Sequence, residues 1–432
     1  MVLHLIINNF GKVESADILL DNLMVFVGNN NSGKTMVMQL LYGIRKELVN
    51  FPAIVSGAKQ SELNGQNLIR CDQKWFREAE SRVNVYLAEK KQQIIENIFG
   101  MPISVGEIKI ALDGTESAFF VCSVSEYQDR EADERQTRYS IDIRQYENGE
   151  IIKSYKNQIS AVDGPEAAVS KTLESVWKII LSEDITSHTG QLFLPASRSG
   201  LQLLYKHYFV GATEGNLVLP IKEFLHFLQL YDEDKQLCES RKGLLEFGEE
   251  HLLQGKIVQK GEETFYVDGQ GERAVLLHIA SSMIHELTPF IKALGAMQRI
   301  DWLYCDEVEN SLHPLLQREM ARWLIRMVNA GLHVVISSHS DTMASRLNNL
   351  FMLTKLVRDR GNYGVLSELN LMEADLLQTD VTASVYEFRD GRHGKTEVEK
   401  LEFISYPLMG YDFHLFGKNL DKLYDEAERI TR

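Results

Sequence analysis

The sequence predicts an α/β fold, and three stretches predict it. "LMVFVGNNNSGKTM" (Leu23 to Met36) is an apolar run, a glycine-framed loop and a helix start. "LYCDEVENSLHP" (Leu303 to Pro314) is an apolar run that ends in carboxylates. "GLHVVISSHSDTM" is a glycine turn, an apolar run from His333 to Ile336, then Ser337, Ser338 and His339. Short apolar runs bounded by turn residues read as buried strands.

The first stretch has the spacing of a phosphate-binding loop: Gly28, then Asn29, Asn30, Asn31 and Ser32, then Gly33, Lys34 and Thr35. Two glycines let the backbone wrap close to phosphate oxygens with its N–H groups turned inward. A helix starting near Gly33 offers its N-terminus to the anion. Lys34 is placed to reach the β- and γ-phosphates, and the Thr35 hydroxyl to ligate Mg²⁺. The context fits, because a strand precedes the loop and "TMVMQLLYGIRKEL" follows with helical spacing.

Between this loop and the acidic strand the chain reads as an insertion. Residues 70–100 are helical, with Trp75, Ala79, Val83, Tyr86, Leu87, Ile94 and Ile98 near one face. "EIKIAL", "SAFFVCSV" and "RYSIDIRQY" within 105–155 read as antiparallel strands, with Asn148–Gly149 as a turn. The charged run Glu126 to Arg138 reads as a solvated hairpin loop. Residues 165–185 and 200–250 are again helical, and "KIVQKGEETFYVDGQGERAVLL" is a strand pair. The acids at 232–234 lie in a helical charge run and read as a solvated face. No stretch sustains heptads, so no long coiled-coil arm is expected.

Acids at the end of a buried strand are costly unless something positive sits there. Beside a phosphate loop, Asp306 is placed to hold the Mg²⁺ and Glu307 to orient or deprotonate an attacking water. Alone, the pair reads equally as a solvated strand end. His339 ends what would be a neighbouring strand, where an imidazole can hydrogen-bond a γ-phosphate and the attacking water.

The composition bounds the class. The chain has 432 residues, 44% hydrophobic and 25% charged, with 8 Pro and 29 Gly, which describes a folded, soluble protein. No apolar run approaches the ~20 residues of a membrane span. The start, "MVLHLIINNF", lacks a basic region before an apolar core, so no secretory signal is read. Cys71, Cys122, Cys238 and Cys305 lie too far apart for a metal knuckle, and the cytoplasm is the expected location. A net charge of −15 argues against a broad nucleic-acid-coating surface and leaves room for a local basic groove.

The order of phosphate loop, long insertion, "DEVENSLHP" and "ISSHS" resembles the heads of ABC-type ATPases, in particular the soluble branch of RecF-like, SMC-like and OLD-like proteins. "LIINNFGKVESADILLDNLMVFVGNNNSGKT" is similar to the way those heads begin, and "FLPASRSG" (Phe193 to Gly200) resembles a segment of the same branch. The resemblance implies a P-loop NTPase fold of ABC-ATPase type: a mixed central sheet, an antiparallel β subdomain and a compact helical insertion. It implies ATP and Mg²⁺ as cofactors. It divides the chain into a first ATPase lobe (1–200), a helical subdomain with a strand pair (201–275) and a second lobe (276–432).

It also implies a signature loop used in trans across a dimer. "HIASSMIHEL" matches it: Ser281 would touch the γ-phosphate held by the other subunit, and Glu309 to His313 would run along the interface. Met283 departs from the pattern, since glycine is usual there and lets backbone N–H groups approach phosphate. Gln191 precedes "LFLP" and sits too early for the glutamine such heads use. Arg198 is either a cation near phosphate or a surface arginine.

About 80 residues follow the His339 region, without the acidic constellation of OLD nucleases. The chain therefore reads as a head that forms a homo-oligomer and switches or scaffolds a separate effector, a nuclease or toxin, as in bacterial anti-phage systems. The alternative is a DNA-binding RecF- or SMC-like ATPase of DNA repair or chromosome maintenance, in which nucleic acid is the partner. Neither reading involves a membrane.

Overall fold

A computed structural model describes residues 1–50, 68–128, 137–159, 165–182, 190–211, 217–261, 263–405 and 410–414, with positions 426 and 429. Most of the charged run Glu126 to Arg138 lies outside the described residues.

The strands of the central sheet come from both ends of the chain. β1 (Val2–Phe10) and β2 (Val13–Leu19) form a hairpin, and β3 (Leu23–Gly28) leads through the phosphate loop into α1 (Lys34–Asn50). After β4 (Leu68–Cys71), the long α2 (Gln73–Phe99) is capped by the Asp72 carboxylate, which accepts from the Lys74 amide at 3.1 Å. It buries Trp75, Ala79, Val83, Leu87, Ile94 and Ile98, the expected stripe, while Tyr86 is half-buried.

Then follow β5 (Val105–Asp113), β6 (Ala118–Gln128), β7 (Thr137–Glu147), β8 (Glu150–Ile159), α3 (Pro165–Ile180) and β9 (Gly190–Leu194). α4 (Arg198–Gly211), α5 (Leu219–Leu230) and α6 (Glu239–Phe247) make the second helical stretch. β10 (Gly255–Lys260), β11 (Glu263–Asp268) and β12 (Ala274–Leu276) form a three-stranded sheet, one strand more than the expected pair. α7 (Ser282–Gly295), β13 (Ile300–Cys305), α8 (Pro314–Asn329), β14 (His333–Ser338) and α9 (Asp341–Arg360) return to the central layer. β15 (Ala383–Asp390) and β16 (Thr396–Lys400) complete it.

The central sheet has nine strands in the order β5-β1-β2-β16-β15-β3-β14-β13-β9. From β9 to β15 neighbouring strands are parallel, and β1 pairs antiparallel with both β2 and β5. One outcome differs from the sequence reading. The strands of 105–155 do not form one antiparallel set: β5 joins the central sheet beside β1, and β6–β8 form a separate sheet with β4. In the C-terminal part, β15 pairs in parallel with the strand that feeds the phosphate loop.

β3 is buried on both faces, which is why it reads as an unbroken apolar run. Met24 and Phe26 face a core shared with α1, α2 and the second sheet. Leu23, Val25 and Val27 face a core shared with the helices α5 to α9. The result is an α/β fold with a mixed central sheet, a separate antiparallel β sheet and helical insertions. Among the described residues, no helix is long and apolar enough to cross a membrane.

Candidate functional site

The parallel strands β13, β14 and β3 end side by side, in a register that places Cys305 against Ile336 and Ser338 against Val27. The residues that follow each strand end meet there. Carboxyl ends of parallel strands are where open α/β sheets bind ligands.

The phosphate loop owes its path to two glycines. A Cβ on Gly28 would stand 2.7 Å from the Phe388 carbonyl oxygen, so the loop can leave β3 only without a side chain there. Gly33 has φ +96°, a left-handed region that favours glycine. Asn29, Asn30 and Asn31 are exposed and Ser32 is buried. Lys34 is 4% exposed, and its Nζ donates to the carbonyls of Gly28 (2.9 Å) and Asn29 (2.8 Å). Burial pushes the Lys34 ammonium down to about 8, against the opposing charges of Asp306, Glu307 and Glu309. Burial thus outweighs the attraction of the three carboxylates.

The Thr35 hydroxyl donates to both carboxylate oxygens of Asp306, at 2.9 and 3.0 Å. Ser337 Oγ donates to Asp306 Oδ1 at 2.5 Å and accepts from the Glu307 amide at 2.8 Å. The Asp306 carboxyl is held above the usual range, chiefly by burial, with the Glu307 charge adding to it. The two hydroxyls and Lys34 act in the opposite direction. A buried carboxylate facing a hydroxyl in this way is an oxygen pair suited to Mg²⁺. Among the described residues no group of three or more His, Cys, Asp or Glu could hold a metal. Thr35 and Asp306 are the residues that would hold a Mg²⁺, which would neutralise phosphate charge there.

Glu307 adopts φ +46°, in the sparsely populated left-handed region. Its Oε1 lies 3.4 Å from His339 Nε2. His339 Nδ1 lies 2.8 Å from the Gly28 carbonyl oxygen and 3.3 Å from Lys34 Nζ. The backbone amide of His339 donates to Glu309 Oε1. The imidazole thus stands between the phosphate loop and the second carboxylate. A nucleotide's terminal phosphate on the loop would face Lys34, Glu307 and His339 together.

The remaining candidates are placed differently. Arg198 is not aimed at the loop. It is 1% exposed, it lies 2.7 Å from Glu286, and it donates to the backbone carbonyls of Asp306 and Glu307. Buried, and with four of its five N–H groups turned to the protein, it is neither a surface arginine nor a cation free for phosphate, which corrects both sequence readings. Gln191 lies inside β9, where its side chain donates to the Tyr42 carbonyl at 2.9 Å and accepts from Arg45 at 3.0 Å. That is the strand end opposite the site. Ser281 is the exposed N-cap of α7, Ile279 just before it is 67% exposed, and Met283 packs partly into the core.

Sequence reasoning gave no role to Ser337 or the β15–β16 turn. Ser337 was visible in "ISSHS", since a hydroxyl near the end of a buried strand can reach its neighbour's end. The turn carried no such signal, and in the structure Asn29 Nδ2 donates to Asp390 at 3.3 Å.

Residues 1–183 match the family model described as an AAA ATPase domain. No curated protein matches the chain. Among solved structures, the chain is similar to an SMC head bound to the C-winged helix domain of ScpA, at 9% identity and TM-score 0.37, with 93% of this chain and 97% of that chain covered. The SMC head domain from Thermotoga maritima gives 10% identity and TM-score 0.36, with 93% and 99% covered. An Smc head domain with an extended coiled coil, bound to the C-terminal domain of ScpA derived from Pyrococcus furiosus, gives 10% identity and TM-score 0.36, with 100% and 99% covered. Likeness at this level carries no functional argument.

Proposed function

We propose that this chain binds ATP with Mg²⁺ and hydrolyses it slowly, as a nucleotide-held switch. The observation that carries the reading is the meeting of Lys34, Thr35, Asp306, Glu307 and His339 at three adjacent strand ends. In this reading Lys34 and the loop amides, Gly28 to Thr35, bind the phosphates. Thr35 and Asp306 hold the metal. Glu307 takes a proton from the attacking water, and His339 orients that water and the terminal phosphate.

The switch reading places a second copy of the chain on the exposed N-terminus of α7, with Ser281 reaching the other subunit's phosphate. Ile279 and Leu315, 67% and 65% exposed, flank the two segments expected at that interface. The net charge of −15 favours a protein effector, a nuclease or toxin of an anti-phage system, over a broad DNA-binding surface.

The deciding experiment is nucleotide binding and turnover of wild type and Glu307→Gln. Binding in both, with turnover only in wild type, is the expected result. Turnover of Glu307→Gln at the wild-type rate would overturn the role of Glu307. Retention of double-stranded DNA at moderate salt would favour the DNA-associated reading instead.

A further inference from the structure

A buried arginine is costly unless its donors are met. The contacts of Arg198 point at one residue. Nη1 donates to the carbonyls of Pro195 (3.2 Å) and Asp306 (2.8 Å), and Nη2 to the carbonyl of Glu307 (3.2 Å). Nε lies 2.7 Å from the Glu286 carboxylate and donates to the Glu286 carbonyl at 3.3 Å. The guanidinium thus joins three elements: the start of α4, the middle of α7 and the turn after β13.

The turn it joins holds Glu307. On one side the Glu307 amide donates to Ser337 Oγ at 2.8 Å. On the other the Glu307 carbonyl accepts from Arg198 and from the Asn310 amide at 3.1 Å. Between them φ is +46°, a conformation that persists in a non-glycine residue only where its surroundings fix it.

Resting on the reading that Glu307 acts on the attacking water, we propose that Arg198 is a positioning residue, which holds Glu307 in its left-handed turn and is itself held by Glu286. A lysine cannot substitute. Its single ammonium lacks the planar fork that reaches several carbonyls at once. Glu286 is 4% exposed, so the pair is sealed from water and fixed in direction.

The test is Arg198→Lys in the full chain, with nucleotide affinity and turnover measured separately. The expected result is unchanged affinity and a kcat lower by about 10²-fold, the cost of a small misplacement of a catalytic group. A merely structural arginine would lower stability without this split. In the Glu307→Gln background, Arg198→Lys is expected to leave the residual turnover where it was. A wild-type kcat in a folded Arg198→Lys protein overturns the proposal. So does a full loss that persists in the Glu307→Gln background. If Arg198→Lys does not fold, Glu286→Gln keeps the shape and an acceptor oxygen. There a lowered kcat with unchanged affinity supports the proposal, and an unchanged kcat overturns it. A wild type that binds no nucleotide would instead overturn the reading of the site, and this inference with it.

Discussion

Gly28 and Phe388 are packed so closely that a methyl group on the glycine would sit 2.7 Å from the phenylalanine's carbonyl oxygen and 2.8 Å from its Cβ. The contact ties the root of the phosphate loop to a strand that lies 360 residues further along the chain. Gly28→Ala is expected to cost about 1–3 kcal/mol, as overpacking does, because the obstacle is backbone rather than a side chain that could turn away. Thermal melts with and without nucleotide would measure it. A melting temperature equal to wild type would mean that β15 yields without cost.

Lys34→Ala is expected to abolish nucleotide binding, since it removes the positive charge placed for the β- and γ-phosphates. Titration with a fluorescent ATP analogue tests this. Wild-type affinity in the variant would mean that the loop amides suffice.

The depressed Lys34 ammonium gives a pH dependence whose sign is fixed. In the unfolded chain the group keeps its proton up to about 10.5, and in the nucleotide-free fold only up to about 8. Between those values the unfolded state binds more protons, so this group makes the free protein more stable as pH rises. Nucleotide affinity moves oppositely, because a neutral amine no longer attracts phosphate. Affinity is expected to be level up to about 8 and to fall above it, while Lys34→Arg stays level, since guanidinium keeps its charge. Parallel curves for the two proteins would assign the fall to another group.

ATP is expected to drive self-association, most visibly in Glu307→Gln, where the bound nucleotide persists. Sedimentation with and without ATP reads this directly. A monomer in both conditions would remove the second copy from the proposed site.

Met283 is expected to slow turnover. A lost contact of the oxyanion type is worth roughly 2.7–4 kcal/mol in a barrier. Met283→Gly is therefore expected to raise the steady-state rate, although glycine in the first turn of α7 weakens the helix by about 1 kcal/mol. Met283→Ala separates the two effects, because it restores the helix former without the long side chain. An unchanged rate in both variants would clear Met283. A wild type turning over on the order of tens per second, within the ordinary enzyme range, would contradict the slow switch.

The parts legible in the sequence were those whose chemistry fixes spacing. Lys34 and Thr35 follow Gly33 because a loop around phosphate needs that order, and Asp306 and His339 follow apolar runs because strand ends gather at one edge. What was not legible depends on contacts between distant segments. Arg198 stands in a loop-like "PASRSG", and nothing local says that two of its partners are the carbonyls of Asp306 and Glu307. The strand "ASVYEFRD" has Glu387 in its apolar run, and the carboxylate is fully buried because Arg389 pairs with it. A period-2 count treats such a residue as exposed, so strand and sheet position both escape it. β5 escaped for a similar reason: its own pattern suits an edge strand of either sheet, and its pairing with β1 decides.

The sheet order also sets a timetable for synthesis. β2 and β3 leave the ribosome only a few residues apart, yet they are not neighbours: β16 and β15 lie between them. Until that late hairpin emerges, the β5-β1-β2 ribbon and the β3-β14-β13-β9 ribbon share no hydrogen-bonded edge in the described sheet. Nascent chains that have not reached residue 400 thus hold two half-sheets with open edges. Such edges invite pairing with other chains, so the sheet beside the phosphate loop is expected to close only once that hairpin has formed.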